Sequence, residues 1–236
     1  MVHQIVNYKY KAFVETLILT LLILLIGFFA GYFAESYRVN KVIENYKEFE
    51  IDVTDLRLQN YYFQIMNSAS CEKAIKQNFI FADNIYQQGL MIEKYEQANE
   101  LSEDILREKK KNILLKTELW LNSILLKEKC DIPFHTIVYV YSQEGNDIKK
   151  AEQDAISNTL RRLKEERGNE VILLPIAGNM GLDIVYMQLQ VYDVTYLPSI
   201  IIDEKYVLEG FHEIEEIKGY LDRTQIQANV KSLYLN

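Results

Sequence analysis

Proline and glycine are nearly missing from a long stretch of this 236-residue chain: between Glu35 and Lys129 there is no proline and one glycine, Gly89. A stretch so free of breakers excludes a turn-rich β architecture there and reads as helices. Cysteine is as scarce, with Cys71 and Cys130 the only two and none beyond Cys130. Three histidines, His3, His135 and His212, are scattered without metal-ligand spacing, and no HExxH, phosphate loop or EF-hand pattern occurs. Neither a metal nor a cofactor is therefore expected. Basic charge is also short: 26 Lys and Arg against 34 Asp and Glu give a formal net charge of −8, which argues against a nucleic-acid partner. The one basic cluster, Arg107 to Lys111, is interrupted by Glu108 and reads as the solvated face of a helix. There is no Asn-x-Ser/Thr sequon, no Ser/Gly linker and no repeat. Only the last dozen residues are poor enough in apolar side chains to be expected without structure.

What is abundant is apolar surface near the N-terminus. The run Thr16 to Ala34, TLILTLLILLIGFFAGYFA, contains no Lys, Arg, Asp or Glu. At 1.5 Å per residue it spans roughly 28 Å, close to the hydrocarbon thickness of a bilayer. It is longer than the apolar core of a signal peptide and ends in bulky residues, so an uncleaved membrane anchor is expected over residues 12–34 after a flank of 1–11. Gly27 and Gly31, four residues apart, would let two copies approach closely, and a homodimer through them is a further expectation. Glu15 stands at the first turn, within reach of headgroups. Lys9 and Lys11 precede the span and Arg38, Lys41 and Lys47 follow it, so charge alone leaves its orientation open. The two cysteines, each in helical sequence, tilt the choice towards a cytoplasmic N-terminus and an extracytoplasmic body.

After the anchor, residues 35–131 form a helical, hairpin-like section with coiled-coil character. A first helix is expected to run out of the membrane through Arg38 towards Asn67, followed by a turn at Asn67, Ser68 and Ser70 that places Cys71 at the head of a second helix. A third begins near Ser102, with Ile105, Leu106, Ile113, Leu114, Leu119, Trp120, Ile124 and Leu125 as its buried stripe. Lys127, Lys129, Cys130 and the Asp131-Ile132-Pro133 break mark its end. Cys71 at one helix start and Cys130 at a later helix end are consistent with a structural disulfide; two unrelated thiols are the alternative.

From His135 the pattern changes. HTIVYVYS is a strand rich in β-branched and aromatic residues, and a helix follows over Asp147 to Arg167, ended by Gly168-Asn169. EVILLPIA is a near-continuous apolar strand suited to a parallel sheet. A helix over Leu182 to Tyr192 comes next. Pro198 to Asp203 and Lys205 to Gly210 then form a hairpin about Asp203-Glu204-Lys205, and a last helix covers Ile214 to Leu221, leaving 223–236 as a tail. The whole is an α/β chain, with an N-terminal transmembrane helix, a helical middle and a βαβαββα domain over 132–222.

That order, with VYDVTYLPSIIIDEKYVLEGFHEIEEIKGYL over residues 191–221, resembles the thioredoxin-like superfamily, here as a membrane-anchored member. The likeness covers residues 134–222 only. It implies that Pro198 is cis, a state of about one in twenty folded X-Pro bonds, that Leu197 faces a peptide groove, and that Gly210 allows the turn after the hairpin. The superfamily's redox chemistry uses Cys-x-x-Cys at the first strand-to-helix junction. Here the junction reads Tyr141-Ser142-Gln143-Glu144-Gly145-Asn146-Asp147, which removes thiol–disulfide exchange by that route. A hydrolytic triad of Ser142, His135 and Asp147 is excluded by distance, since His135 and Ser142 lie at opposite ends of a strand about 23 Å long. His212 is expected to flank the last helix.

The functional expectation is a membrane-tethered, redox-inactive thioredoxin-like module that binds or positions another envelope protein, with no catalytic residues. The groove candidates are Tyr196, Leu197, Pro198, Tyr141 and Ser142, with Tyr139, Tyr192 and Tyr206 either adding an amphipathic surface or serving as ordinary sheet packing. Two alternatives stand beside it: an oxidoreductase or isomerase using Cys71 and Cys130, and a helical assembly factor for membrane proteins.

Overall fold

The structure, a computed structural model, describes residues 13–34, 36–37, 53–55, 57–58, 61, 71–98, 103–130 and 134–234. Lys9, Lys11, most of the expected helix from Arg38 to Asn67, the turn at Asn67 to Ser70 and the Asp131-Ile132-Pro133 break lie outside the described residues. The chain divides into two compact units, Met1–Asp55 and Leu56–Asn236.

In the first unit, helix α1 (Phe13–Ala34) is long and apolar enough to cross a membrane, with none of its apolar window buried. Its hydroxyls do not break the apolar surface. Thr16 Oγ1 donates to Phe13 O at 3.0 Å and Thr20 Oγ1 to Thr16 O at 2.9 Å, so both are satisfied within the helix, as a hydrocarbon environment requires.

The second unit opens with two 28-residue helices, α2 (Cys71–Ala98) and α3 (Glu103–Cys130), paired as an antiparallel hairpin. Strand β1 (His135–Tyr141) follows, then α4 (Asp147–Arg167), a 3₁₀ turn (Gly168–Glu170), β2 (Val171–Ala177), α5 (Asp183–Val191), β3 (Ser199–Ile202), β4 (Tyr206–Glu209) and α6 (Ile214–Tyr234). The sheet order is β2-β1-β3-β4. β1 and β2 are parallel, with His135 opposite Val171, whereas β3 runs antiparallel to β1 with Val140 opposite Ser199, and β4 antiparallel to β3. This is the expected βαβαββα arrangement, with thioredoxin-like topology.

Sequence period decides which side chains are enclosed. Alternate strand residues Ile137, Tyr139, Ile200 and Ile202 meet Ile156, Leu160 and Leu163 of α4 and Ile217 and Leu221 of α6. The strand period of two and the helical spacing of three and four are thus satisfied against one another. Each aliphatic side chain so buried contributes about 1.5–3 kcal/mol relative to exposure. Asn146 caps α4 by accepting from Lys149 N–H at 2.9 Å, and Gly168, at φ 53, closes it with its N–H on Lys164 O.

Two expectations need correction. In α3, Ile113, Leu119 and Trp120 are buried, but Leu114 is 39% exposed with Leu115 buried instead, and Leu126 is buried beside a half-buried Leu125. The reason is that α3 packs against α2 and also against β2 and β1, which widens its buried arc. That arc takes in Asn112, Lys116, Thr117, Asn122 and Ser123, polar residues that a periodicity reading assigns to solvent. At the C-terminus, α6 runs to Tyr234 rather than stopping near Leu221 before an unstructured tail. Residues 222–234 hold neither Gly nor Pro, and extending an existing helix needs no new nucleus.

Candidate functional site

The β1–α4 junction, where a thiol pair would stand in a redox-active relative of this topology, is held by side chains from three directions. Ser142 N–H donates to Gln153 Oε1 at 2.7 Å, while Gln153 Nε2 donates back to Ser142 O at 3.1 Å. The Ser142 hydroxyl donates to Glu144 O at 2.5 Å, and Gln143 N–H donates to Asn179 Oδ1 at 2.7 Å. From α3, Lys109 donates to Gln143 Oε1 and lies 5.9 Å from the centre of the Tyr141 ring. Ser142 is only 8% exposed, and its hydroxyl is engaged with a main-chain carbonyl rather than with a base. His135, at the other end of β1, cannot serve it.

Beside the junction lies the segment before β3. Leu197-Pro198 is a cis peptide, and Gly210, at φ 73, makes the turn after β4 and donates its N–H to Pro198 O at 2.9 Å. Ser199 Oγ fixes the approach by donating to Tyr196 O at 2.6 Å. Gly178 lets the chains close up: a Cβ there would come within 2.9 Å of Val140 Cγ1 and 3.1 Å of Leu197 Cδ1. Among the described residues, neither the N–H nor the carbonyl of Leu197 has a backbone partner. Tyr196 is 44% exposed, with its hydroxyl 3.4 Å from Glu152 Oε2 and Lys149 Nζ 5.7 Å from its ring centre.

Of the residues singled out from sequence, Tyr196, Leu197 and Pro198 therefore stand together. The register that sets Val140 opposite Ser199 brings the Tyr141 main chain beside that of Pro198. The Tyr141 and Ser142 side chains, however, line a separate cleft that Tyr196, Leu197 and Pro198 do not reach. The remaining tyrosines are dispersed. Tyr139 is buried with its hydroxyl donating to Gln153 O at 3.0 Å, Tyr192 stacks on Trp120 at 5.2 Å, and Tyr206 packs on Tyr220 at 4.9 Å. Sheet and helix packing accounts for these three. His212 flanks α6, with Nδ1 3.0 Å from Glu216 Oε2.

A polar cluster at the opposite end of β1 was not visible in the sequence. The β3–β4 turn places Asp203 and Glu204 at φ 48 and 58, a left-handed conformation that side chains other than Gly, Asn and Asp seldom adopt. Their carboxylates explain why. Asp203 Oδ1 accepts from Thr136 N–H at 3.0 Å, and Oδ2 lies 2.7 Å from His135 Nδ1. Glu204 Oε1 accepts from Trp120 Nε1 at 2.8 Å and from Thr136 Oγ1 at 2.5 Å. Lys127 Nζ completes the group, 3.3 Å from Asp203 Oδ1 and 2.5 Å from Glu204 Oε2. Trp120 and Lys127 belong to α3, so this cluster latches the helical hairpin onto the sheet. Burial pushes the Asp203 carboxyl up, but the His135 hydrogen bond, Lys127 and the Thr136 N–H together hold it below the usual carboxylate range. Two acids in a tight turn where Asn-Gly or Asp-Gly is usual were the available signal.

Cys71 and Cys130 form a disulfide, with Cα atoms 5.7 Å apart, across the base of the α2–α3 hairpin. It joins residues 59 positions apart and lies in a different element from the β1–α4 junction. Among the described residues, no group of three His, Cys, Asp or Glu side chains is placed to hold a metal ion. The chain matches no protein-family model and no curated protein.

Proposed function

We propose that this chain is a membrane-tethered, redox-inactive module of thioredoxin-like topology that binds an extended segment of another envelope protein along Tyr196, Leu197 and Pro198. The observation that carries the reading is the pairing of two features. The junction that would hold reactive thiols is Ser142 to Gly145, fastened by Gln153 and Asn179, while the neighbouring Leu197 keeps a main-chain donor and acceptor without backbone partners among the described residues. An extended peptide could hydrogen-bond there as an added strand, with the Tyr141 and Ser142 main chain as the far wall and the exposed face of Tyr196 as a contact.

In this arrangement residues 12–34 are the anchor, 35–131 the helical section and 132–222 the binding domain. The disulfide supports an extracytoplasmic body with a cytoplasmic N-terminus, because such bonds persist in oxidising compartments. Gly27 and Gly31, with no heavy atom within 4 Å of where a Cβ would lie, leave room for a second anchor helix. A photoreactive residue in place of Leu197 should capture a discrete partner in intact membranes. Equal capture from Glu165, an outward position on α4, would remove the groove assignment. The orientation has its own check: after mild reduction, an impermeant thiol reagent should modify Cys71 and Cys130 in intact cells, and labelling only after lysis would place the body in the cytoplasm.

A further inference from the structure

The domain that holds the Tyr196–Pro198 groove is acidic as a whole. Residues 134–222 carry sixteen Asp and Glu against eight Lys and Arg, which accounts for the entire formal charge of −8 and leaves the rest of the chain balanced. Between Arg167 and Lys205, a span that takes in β2, α5 and the groove segment, there is no Lys or Arg at all. A field of this sign draws cationic segments in and repels acidic ones.

Within that field one carboxylate is placed at the groove itself. Glu152, half-buried on α4, reaches both the segment before β3 and the turn after β4: Oε2 lies 3.4 Å from the Tyr196 hydroxyl, and Oε1 lies 3.0 Å from where a Cβ would stand on Gly210. Gly210, at φ 73, is also the residue whose N–H holds Pro198 O. Glycine at 210 therefore serves the turn and the carboxylate together. At 3.4 Å the Tyr196 contact is long, and it is the one hydrogen bond to the Glu152 carboxylate among the described residues. A carboxylate can accept about four.

Glu209 of β4 adds to the charge, accepting from Thr195 Oγ1 at 2.9 Å, one residue before Tyr196. Glu152 above all, then burial and Glu209, holds the Tyr196 hydroxyl above its ordinary range, so both carboxylates act at this residue. Lys149 is the cation at this spot, and its Nζ stands over the Tyr196 ring, 5.7 Å from the centre, rather than on Glu152. Two carboxylates against one ammonium keep the spot anionic. Apolar contact lies beside the charge, since Tyr196 is 44% exposed and Phe211, next to Gly210, is 45% exposed. Lys and Arg meet both conditions at once, with an aliphatic stem that lies on apolar surface and a cation at its end.

We infer that the groove selects an extended protein segment carrying a Lys or Arg, whose cation is received by the Glu152 carboxylate and whose stem lies on the Tyr196 ring. This assignment rests on the groove reading proposed above and adds the residue that sets its specificity.

The test selects random heptapeptides displayed on phage against the full chain in phosphatidylcholine nanodiscs, after depletion on empty discs. Recovered peptides should share a Lys or Arg at one position and, made synthetically, should crosslink to a photoreactive residue in place of Leu197. Replacing that Lys or Arg with norleucine should weaken binding at least about tenfold by fluorescence anisotropy, a difference within reach of one charge-assisted contact. Glu152→Gln should erase the difference, and selection on Glu152→Lys should turn towards Asp or Glu, a reversal that a merely structural role would not give. No peptide above the empty-disc background, or none that reaches position 197, would remove the groove and this assignment together. Peptides that crosslink at position 197 without a shared basic residue, or that keep their preference on folded Glu152→Gln, would overturn this assignment alone.

Discussion

The sheet domain and the helical hairpin that packs on it are held together by different chemistry. The interior between the sheet, α4 and α6 is almost wholly aliphatic, built on Ile137, Ile156, Leu160, Leu163, Ile200 and Ile217, and contains no cysteine. The hairpin encloses amides, hydroxyls and lysines beside its apolar residues and carries a covalent link. Asn78 Nδ2 donates to Ser123 Oγ at 2.9 Å, Ser123 Oγ to Leu119 O at 2.8 Å, and Asn112 Nδ2 to Ile85 O at 3.3 Å. A buried polar pair adds only about 1 kcal/mol net, so an interior of this kind fixes geometry more than it supplies stability. The disulfide and the Lys127 latch add to the hairpin's own apolar packing, which includes Ile85, Ile113, Leu119 and Trp120.

The largest expected effect breaks this contrast at its covalent end. Replacing Cys71 and Cys130 with Ser frees a loop closed over 59 positions and should cost about 4 kcal/mol. In amide hydrogen exchange the lost protection should concentrate in α2 and α3, and equal loss in β1 and β3 would erase the distinction between the regions. Leu160→Ala, removing a side chain that is 1% exposed, should cost about 3 kcal/mol in urea unfolding, with protection falling across β1, β3 and α4 instead.

The latch gives a third and sharper division. Asp203→Asn should cost about 2 kcal/mol at neutral pH, because His135, Thr136 and Lys127 lose a charged acceptor in a buried site. Its acid dependence has a defined sign. The folded Asp203 carboxyl is depressed, so its stabilisation is fully present above the unfolded value and is lost as pH falls through the folded one. Wild type and Asp203→Asn should therefore converge in stability below about pH 4, and a gap unchanged down to pH 2 would show that the carboxylate's charge is not involved. The smallest effect is Asn78→Ala, about 1 kcal/mol, which leaves the Ser123 hydroxyl still donating to Leu119 O.

What could be read from the sequence follows the same division. In the sheet domain apolar period and element identity coincide, and α4, with Asn146 before it and Gly168 after it, begins and ends where local signals place it. In the hairpin, Leu115 is buried in place of Leu114, and Leu126 joins the stripe, because the burial of α3 is set by two partners at once, which one helix's periodicity does not reveal. The cysteines were legible as a pair because both sit at helix ends. Asp203 and Glu204 were legible only as a turn: their partners lie 67 to 84 positions away, and nothing local announces a carboxylate chosen for contacts that distant. The cis Leu197-Pro198 peptide was recoverable from resemblance, whereas the separation of Tyr141 and Ser142 into another cleft depends on the hairpin's placement.

The position of α3 along the sheet has a consequence for solubility. β2 is an outermost strand, seven residues long and uncharged, the kind of edge that recruits other chains into intermolecular pairing. β4, at the other margin, has only four residues and ends in Glu209. The helix lying against β2, together with Pro175 within that strand, makes the hairpin an edge guard, and the bond between Cys71 and Cys130 is then also a defence against aggregation.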